Sequence, residues 1–273
     1  MNNVNFNKVG KSLLNNMKEG KRGQVTLFVI ISILVVVAII ILYTFVIKPY
    51  IEKQYVQDPK AFVEECAGIA LTESETTLLN TNLYPNLTMN YILYSGEKSG
   101  EKVPYLCSVS TFYTPCINQE PMLLEKMRKY IEEYTKSKVE QCFKKVDSDY
   151  KKRGFEVKAG NITAIVEINK KIISININRQ MSITKGANTK SFESFTSEIK
   201  SPMYDLIRTA MQVVNYESTL CEFNNVRWML SYPEISIKKF SASDQTKVYT
   251  LTDRDTEKEI KFAVKTCVLP AGV

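Results

Sequence analysis

The chemistry open to this chain is limited first by the absence of histidine from all 273 positions. Without an imidazole, Ser-His-Asp and Cys-His nucleophilic sites and histidine-based metal hydrolysis are excluded. Two segments, Ser197–Lys200 and Ser236–Lys239, match the Ser-x-x-Lys pattern of acyl-enzyme serines. The accompanying Ser-Asp-Asn and Lys-Thr-Gly motifs are absent, and both segments fall in predicted strands. We therefore interpret both matches as chance.

A second set of reactive groups is acidic. Asp253, Asp255, Glu257 and Glu259 alternate around a turn and could bind a cation such as calcium. The glycine and ligand spacing of a calcium loop are missing, so a solvated hairpin tip is the preferred interpretation. The sequence therefore predicts no catalytic residue, no cofactor and no metal site, and the protein is not expected to be an enzyme. A hydrolase that uses carboxylates alone is kept as a lesser alternative.

The cysteines are the remaining groups with chemistry of their own. All six follow the apolar run that ends at residue 47: Cys66, Cys107, Cys116, Cys142, Cys221 and Cys267. An even number in an exported domain indicates disulfides. Structural zinc fits less well, because the chain has neither a Cys-x-x-Cys pair nor histidine. Two predicted helices carry the similar segments Val63–Cys66 and Val139–Cys142, and we predict a bridge between their cysteines. The other pairings stay open.

The cysteine-containing domain is preceded by an apolar run near the N-terminus, which is the element expected to anchor it. Residues 25–47 contain no charge. At a helical rise of about 1.5 Å per residue the run spans roughly 35 Å, enough to cross a hydrocarbon core of about 30 Å. The preceding residues are basic, which favours an N-terminus in the cytoplasm and a C-terminal domain outside the cell. The rest of the chain has no basic block, so no nucleic-acid partner is expected.

The junction before this run, Lys21-Arg22-Gly23-Gln24-Val25-Thr26-Leu27-Phe28, resembles the class III signal peptide of archaeal type IV pilin-like proteins. The resemblance implies cleavage between Gly23 and Gln24 by a prepilin peptidase, with the apolar helix retained. Phe28 stands where such pilins usually carry the glutamate used in filament assembly. The anchor, followed by the segment Phe62–Cys66, is also similar to uncharacterised single-pass surface proteins of small-genome archaea.

The predicted organisation is a cytoplasmic leader at 1–23, a transmembrane helix at 24–47, a linker at 48–57 and an extracytoplasmic α+β domain at 58–273. A division of that domain into two subdomains near residue 150 is left open. Hydrophobic periodicity predicts helices at 58–79, 120–146 and 201–215, with antiparallel sheet elsewhere. The first helix has Pro59 at its first position, and the third has an apolar stripe formed by Met203, Leu206, Ile207, Ala210 and Val214. The predicted strands include 103–113, and those at 161–168 and 172–184 alternate with a period of two, which indicates one buried face. The first helix is expected to bury Phe62, Cys66, Ile69 and Ala70. Sequons at Asn86 and Asn161 are candidate glycosylation sites.

The expected function is that of a membrane-anchored cell-surface protein, structural or binding, and in the first reading a pilin-like subunit processed by a prepilin peptidase. The alternative is an uncleaved, signal-anchored binding or sensor domain. Expected partners are membrane lipid, the prepilin peptidase if the chain is processed, and either further copies of the chain or other surface proteins.

Overall fold

The structure, a computed structural model, describes residues 29–43, 58–94 and 100–270. The chain divides into two compact units, Met1–Asp58 and Pro59–Val273. In the first unit, residues 29–42 form helix α1, whose large apolar side chains are all at least 45% exposed. The predicted span at 24–47 lies only partly within the described residues. Among those residues, no helix is long and apolar enough to cross a membrane.

In its described residues, the second unit, named here the disulfide domain, has four helices and ten strands. The helices are α2 (Pro59–Asn80), α3 (Leu123–Lys152), α4 (Met203–Leu220) and α5 (Asn225–Ser231). The strands are β1 (Tyr91–Tyr94), β2 (Glu101–Ser108), β3 (Ile117–Asn118), β4 (Glu156–Ala159), β5 (Thr163–Asn169), β6 (Ile172–Lys185), β7 (Asn188–Lys200), β8 (Ile235–Ser241), β9 (Lys247–Asp253) and β10 (Glu259–Lys265). This arrangement confirms the predicted α+β class.

The strands form two sheets. The larger has the order β1-β2-β10-β9-β8, and β3 also pairs with β2. All its pairings are antiparallel except β2 with β10, which is parallel and joins segments far apart in sequence. The smaller sheet is antiparallel and centres on β6, which pairs with β7 along its length and with β5 and β4 along its two halves.

One hydrophobic core joins both sheets to α2, α3 and α4. Helix α4 shows how the sequence pattern builds this core. Its apolar side chains recur at helical spacing and are all buried, as predicted: Met203, Leu206, Ile207, Ala210 and Val214. A smaller apolar cluster lies on the opposite face of the larger sheet and centres on residues of β2, β9 and β10.

Helix α2 begins with a proline at its first position, Pro59, as predicted, but its buried face differs from the prediction. Of the four side chains expected to be buried, Ala70 is buried, Phe62 and Cys66 are half-buried, and Ile69 is 55% exposed. Val63, Ala67 and Leu71 also face the core. The apolar positions of this helix are distributed around the axis, so periodicity does not select one stripe. The face is selected instead by close approach to β7, where the position of a Cβ on Gly68 would lie 3.0 Å from Ser197 Oγ.

Candidate functional site

The predicted processing junction, Gly23 and Gln24, lies outside the described residues and stays a prediction. Both sequons lie within them. Asn86 and Asn161 are exposed, as are the threonines that complete the sequons, Thr88 and Thr163. The side-chain amides are therefore accessible to a glycosylating enzyme, and their modification also stays a prediction.

All six cysteines are paired in three disulfides within the disulfide domain: Cys66–Cys142, Cys107–Cys116 and Cys221–Cys267. Their Cα atoms are 6.7, 5.4 and 5.8 Å apart. The expectation of disulfides is confirmed, and so is the bridge between α2 and α3. The second bridge joins β2 to the residue before β3, and the third joins the end of α4 to the residues after β10.

The two Ser-x-x-Lys segments lie in strands, Ser197–Lys200 in β7 and Ser236–Lys239 in β8. Residues three apart on a strand point to opposite faces of the sheet, so the serine and lysine of each segment cannot act as a pair. Lys239 instead contacts Glu222, and its hydrogen bond lowers the pKa of the Glu222 carboxyl.

The acidic residues around the β9–β10 turn do not converge. Asp253 is buried and accepts hydrogen bonds from the backbone N–H and the hydroxyl of Thr256, which closes the turn. Glu259 pairs with Lys261 at 2.8 Å. Over the described ranges, no group of three or more His, Cys, Asp or Glu residues could hold a metal ion.

A polar groove of about 520 Å³ lies on the solvent face of the smaller sheet. Glu167 on β5 and Glu198 on β7 both stand opposite Ser174 on β6, so the two carboxylates flank one hydroxyl. Asn176 and Thr196 form the next row. Two strand spacings separate the glutamate Cα atoms by about 10 Å. Both carboxylates are exposed, and the groove is open, so it suits reversible binding of a polar ligand more than acid–base chemistry.

Sequence reasoning did not identify this groove. The apolar alternation in β5 and β6 predicted their buried face, but β7 has a single buried residue, Phe195, and therefore too weak a pattern to be paired with them in advance. The signal that could have found the groove is the polar character of the outward positions on both long strands.

A buried cluster of ionisable side chains joins α4 to β9. Glu217 of α4 is fully buried; it accepts a hydrogen bond from the Tyr249 hydroxyl and pairs with Lys247 Nζ at 2.7 Å. Burial and the bond to Glu217 raise the pKa of the Tyr249 phenol. Lys247 also donates to the carbonyl of Cys221, at the third disulfide. This arrangement is closed to substrate, and we interpret it as structural.

Comparison of the chain with protein-family models, curated proteins and solved structures gives no match in any of the three.

Proposed function

We propose that this chain is a single-pass cell-surface protein whose disulfide domain lies outside the cytoplasm and acts by binding. The observation that carries the proposal is the pairing of all six cysteines in three disulfides. Disulfides form and persist in oxidising compartments and are rare in the cytosol. The three disulfides therefore support export of this domain.

The apolar run supports retention at the membrane. The side chains of residues 29–43 expose aliphatic surface all around the helix. Such a surface is unfavourable in water by roughly 25 cal/mol per Å² and is stable in lipid or against other apolar helices. The basic leader before it favours an N-terminus in the cytoplasm. Processing by a prepilin peptidase between Gly23 and Gln24 is part of the proposal.

Binding is favoured over catalysis by the open polar groove. Its two glutamates would suit the carboxylate hydrolase alternative only if water were excluded from one of them, because a general acid needs an environment that keeps its proton near neutral pH. Both side chains are instead exposed. The surface groups of the groove fit the recognition of a polar ligand.

The experiment is the intact mass of the native protein, measured before and after reduction. We expect a chain that begins at Gln24 and that gains six hydrogens on reduction. Replacement of Gly23 by valine, at the same expression level, should leave the leader attached and serves as the matched control. A wild-type chain that begins at Met1 would refute the processing and would favour the alternative, an uncleaved, signal-anchored binding or sensor domain. Free thiols in the native protein would overturn export itself.

A further inference from the structure

The two sequons of the disulfide domain differ in their surroundings. Asn161 lies between β4 and β5. Asn86 and Thr88 lie in the loop after α2, and both line a groove of about 410 Å³ between this loop and α3, which Asn161 does not line. The volume is within the range of pockets that hold small ligands, about 300–1,000 Å³. A group attached to the Asn86 amide therefore begins at a preformed groove.

The loop that carries Asn86 follows a fixed path. It leaves α2 through Asn82 and Leu83, whose φ angles are 50° and 71°. The left-handed region is unfavourable for leucine, so neighbouring contacts have to maintain this conformation. Asn82 makes such contacts: its Nδ2 donates to Glu101 at 2.9 Å, and its Oδ1 accepts the backbone N–H of Lys261 at 2.8 Å. One wall of the groove is thus tied to the larger sheet.

The facing wall, on α3, combines an aromatic ring with charged groups. Tyr130 lines the groove and is half-buried, and its ring stacks on that of Tyr134 with the ring centres 6.2 Å apart. The Tyr134 hydroxyl donates to Glu73 on α2, which fixes the stack. Lys129 and Glu133 also line the groove, and both are exposed. Their charged ends are therefore available to hydrogen-bond with a ligand.

The buried residues that line the groove are aliphatic or aromatic: Leu78, Leu83, Tyr84 and Met127. Lys126 Nζ lies 4.8 Å from the centre of the Tyr84 ring. A sugar ring matches a surface of this kind, because its CH groups pack on aromatic and aliphatic side chains while its hydroxyls exchange hydrogen bonds with charged ones.

We propose that Asn86 carries an N-linked glycan whose first sugars lie in this groove, against Tyr130 and beside Lys129 and Glu133. The covalent link selects this occupant, because a sugar attached to a lining residue has a far higher local concentration than a free ligand. A glycan on Asn161 would not reach this groove from its own link. The inference rests on the proposed function, since the sequon is an acceptor in secreted chains.

Mass spectrometry of peptides from the native protein measures the occupancy of Asn86, and we expect a glycan there. The position of the glycan is read from Lys129 by limited acetylation of the folded chain. Asn86→Gln should raise the rate of Lys129 acetylation several-fold. Lys171, whose side chain is 67% exposed in the turn between β5 and β6, should react equally in both proteins. Asn161→Gln is the matched control and should leave the Lys129 rate unchanged.

Substitutions at Thr88 separate loss of the glycan from the change at Asn86. Thr88→Val keeps the asparagine but abolishes the sequon, so Lys129 should react as fast as in Asn86→Gln. Thr88→Ser keeps the sequon and should preserve the protection of Lys129. Each variant is compared after its mass without reductant confirms that the three native disulfides have formed.

A change at Tyr130 tests the aromatic wall with the sequon intact. Tyr130→Ala should still carry the glycan on Asn86, whereas Lys129 should lose most of its protection because the sugar no longer has a ring to pack on. Unchanged protection in a folded Tyr130→Ala chain would overturn the proposed position of the glycan.

Two outcomes overturn the inference while the proposed function stands. The first is a native chain with paired cysteines and an unmodified Asn86, which would leave the groove to another ligand. The second is a glycosylated Asn86 with Lys129 acetylated at the same rate in the wild type and in Asn86→Gln. Free thiols together with two unmodified sequons would instead overturn the inference and the proposed function together.

Discussion

The two sheets of the disulfide domain differ in how many of their faces are buried. In the smaller sheet, β6 alternates between core and solvent along its length. In the larger sheet, β9 buries the four consecutive residues Val248–Leu251. The second face of β9 is covered because the sheet curls, which brings Tyr94 of β1 within 5.4 Å of Phe240 on β8, ring centre to ring centre. One sheet thus behaves as a half-solvated layer, and the other as the interior of a partly closed barrel.

The number of buried faces decides which polar residues of each sheet need a hydrogen-bond partner within the protein. A polar residue on the outer face of β6 meets water and needs no partner. A polar residue beside β9 must be satisfied by the protein, since an unpaired buried group carries its full desolvation penalty. The Glu217, Lys247 and Tyr249 arrangement meets this requirement on the face of β9 that packs against α4.

The largest loss in the free energy of unfolding should come from breaking the buried Glu217–Lys247 pair. Lys247→Met leaves the fully buried Glu217 carboxylate without its cation, and removal of one partner of a buried pair costs about 3–5 kcal/mol. We expect this loss in the free energy of unfolding, measured by urea denaturation of the full chain in detergent without reductant.

The matched control for this prediction is Lys239→Met. Lys239 pairs with Glu222, which is exposed, so its replacement should cost no more than about 1 kcal/mol. Addition of Glu217→Gln to Lys247→Met should recover part of the stability, because the unpaired charge is removed. Equal losses in the two lysine variants would contradict the contrast between a buried and an exposed ion pair on the larger sheet.

The next comparison tests adjacent residues on each sheet. On β6, Ile175→Ala should cost about 2–5 kcal/mol, whereas Asn176→Ala should stay within about 0.5 kcal/mol. On β9, substitutions on both faces should be costly: Leu251→Ala by about 2–5 kcal/mol, and Val248→Ala by about 2 kcal/mol for its two lost methylene equivalents. The same urea titration measures all four. If Val248→Ala were as mild as Asn176→Ala, the second face of β9 would be solvated.

The same contrast explains what the sequence could predict. The alternation in β5 and β6 identified a half-buried sheet, and the apolar stripe of α4 identified its buried face correctly. The parallel pairing of β2 with β10 was not predictable, because it joins segments more than 150 residues apart and leaves no local pattern. The strand at 103–113 was predicted too long; β2 ends at Ser108, and Tyr113 has a positive φ of 60°.

The site was predicted less completely than the fold. The Cys66–Cys142 bridge was recognisable because two helices carried similar segments. Cys107 meets Cys116 through the local pairing of β2 with β3, and Cys221 meets Cys267 where α4 ends beside the residues after β10. Neither contact leaves a similar pair of segments in the sequence. Helix α5 has no buried residue and only seven positions, so periodicity could not identify it.

Two buried tyrosines should differ in how much their hydroxyls contribute to the free energy of unfolding. The Tyr249 hydroxyl is bonded to Glu217, whereas the Tyr84 hydroxyl lies near Glu120 without a hydrogen bond of normal geometry. Tyr249→Phe should cost about 1–3 kcal/mol because it leaves a buried carboxylate oxygen without its donor. Tyr84→Phe should change the free energy of unfolding by less than about 0.5 kcal/mol.

Alkaline titration sharpens this last prediction. Burial raises the pKa of both phenols above their ordinary value of about 10, and the neighbouring carboxylates, Glu217 and Glu120, raise them further. A raised folded-state pKa contributes stability that is complete below the unfolded value and is lost as the pH rises through the folded one. Wild-type stability should therefore fall above about pH 10, and each phenylalanine variant should lose less of its own stability there. An unchanged alkaline slope in Tyr249→Phe would show that this phenol reaches solvent, and that the end of β9 is open like the outer face of β6.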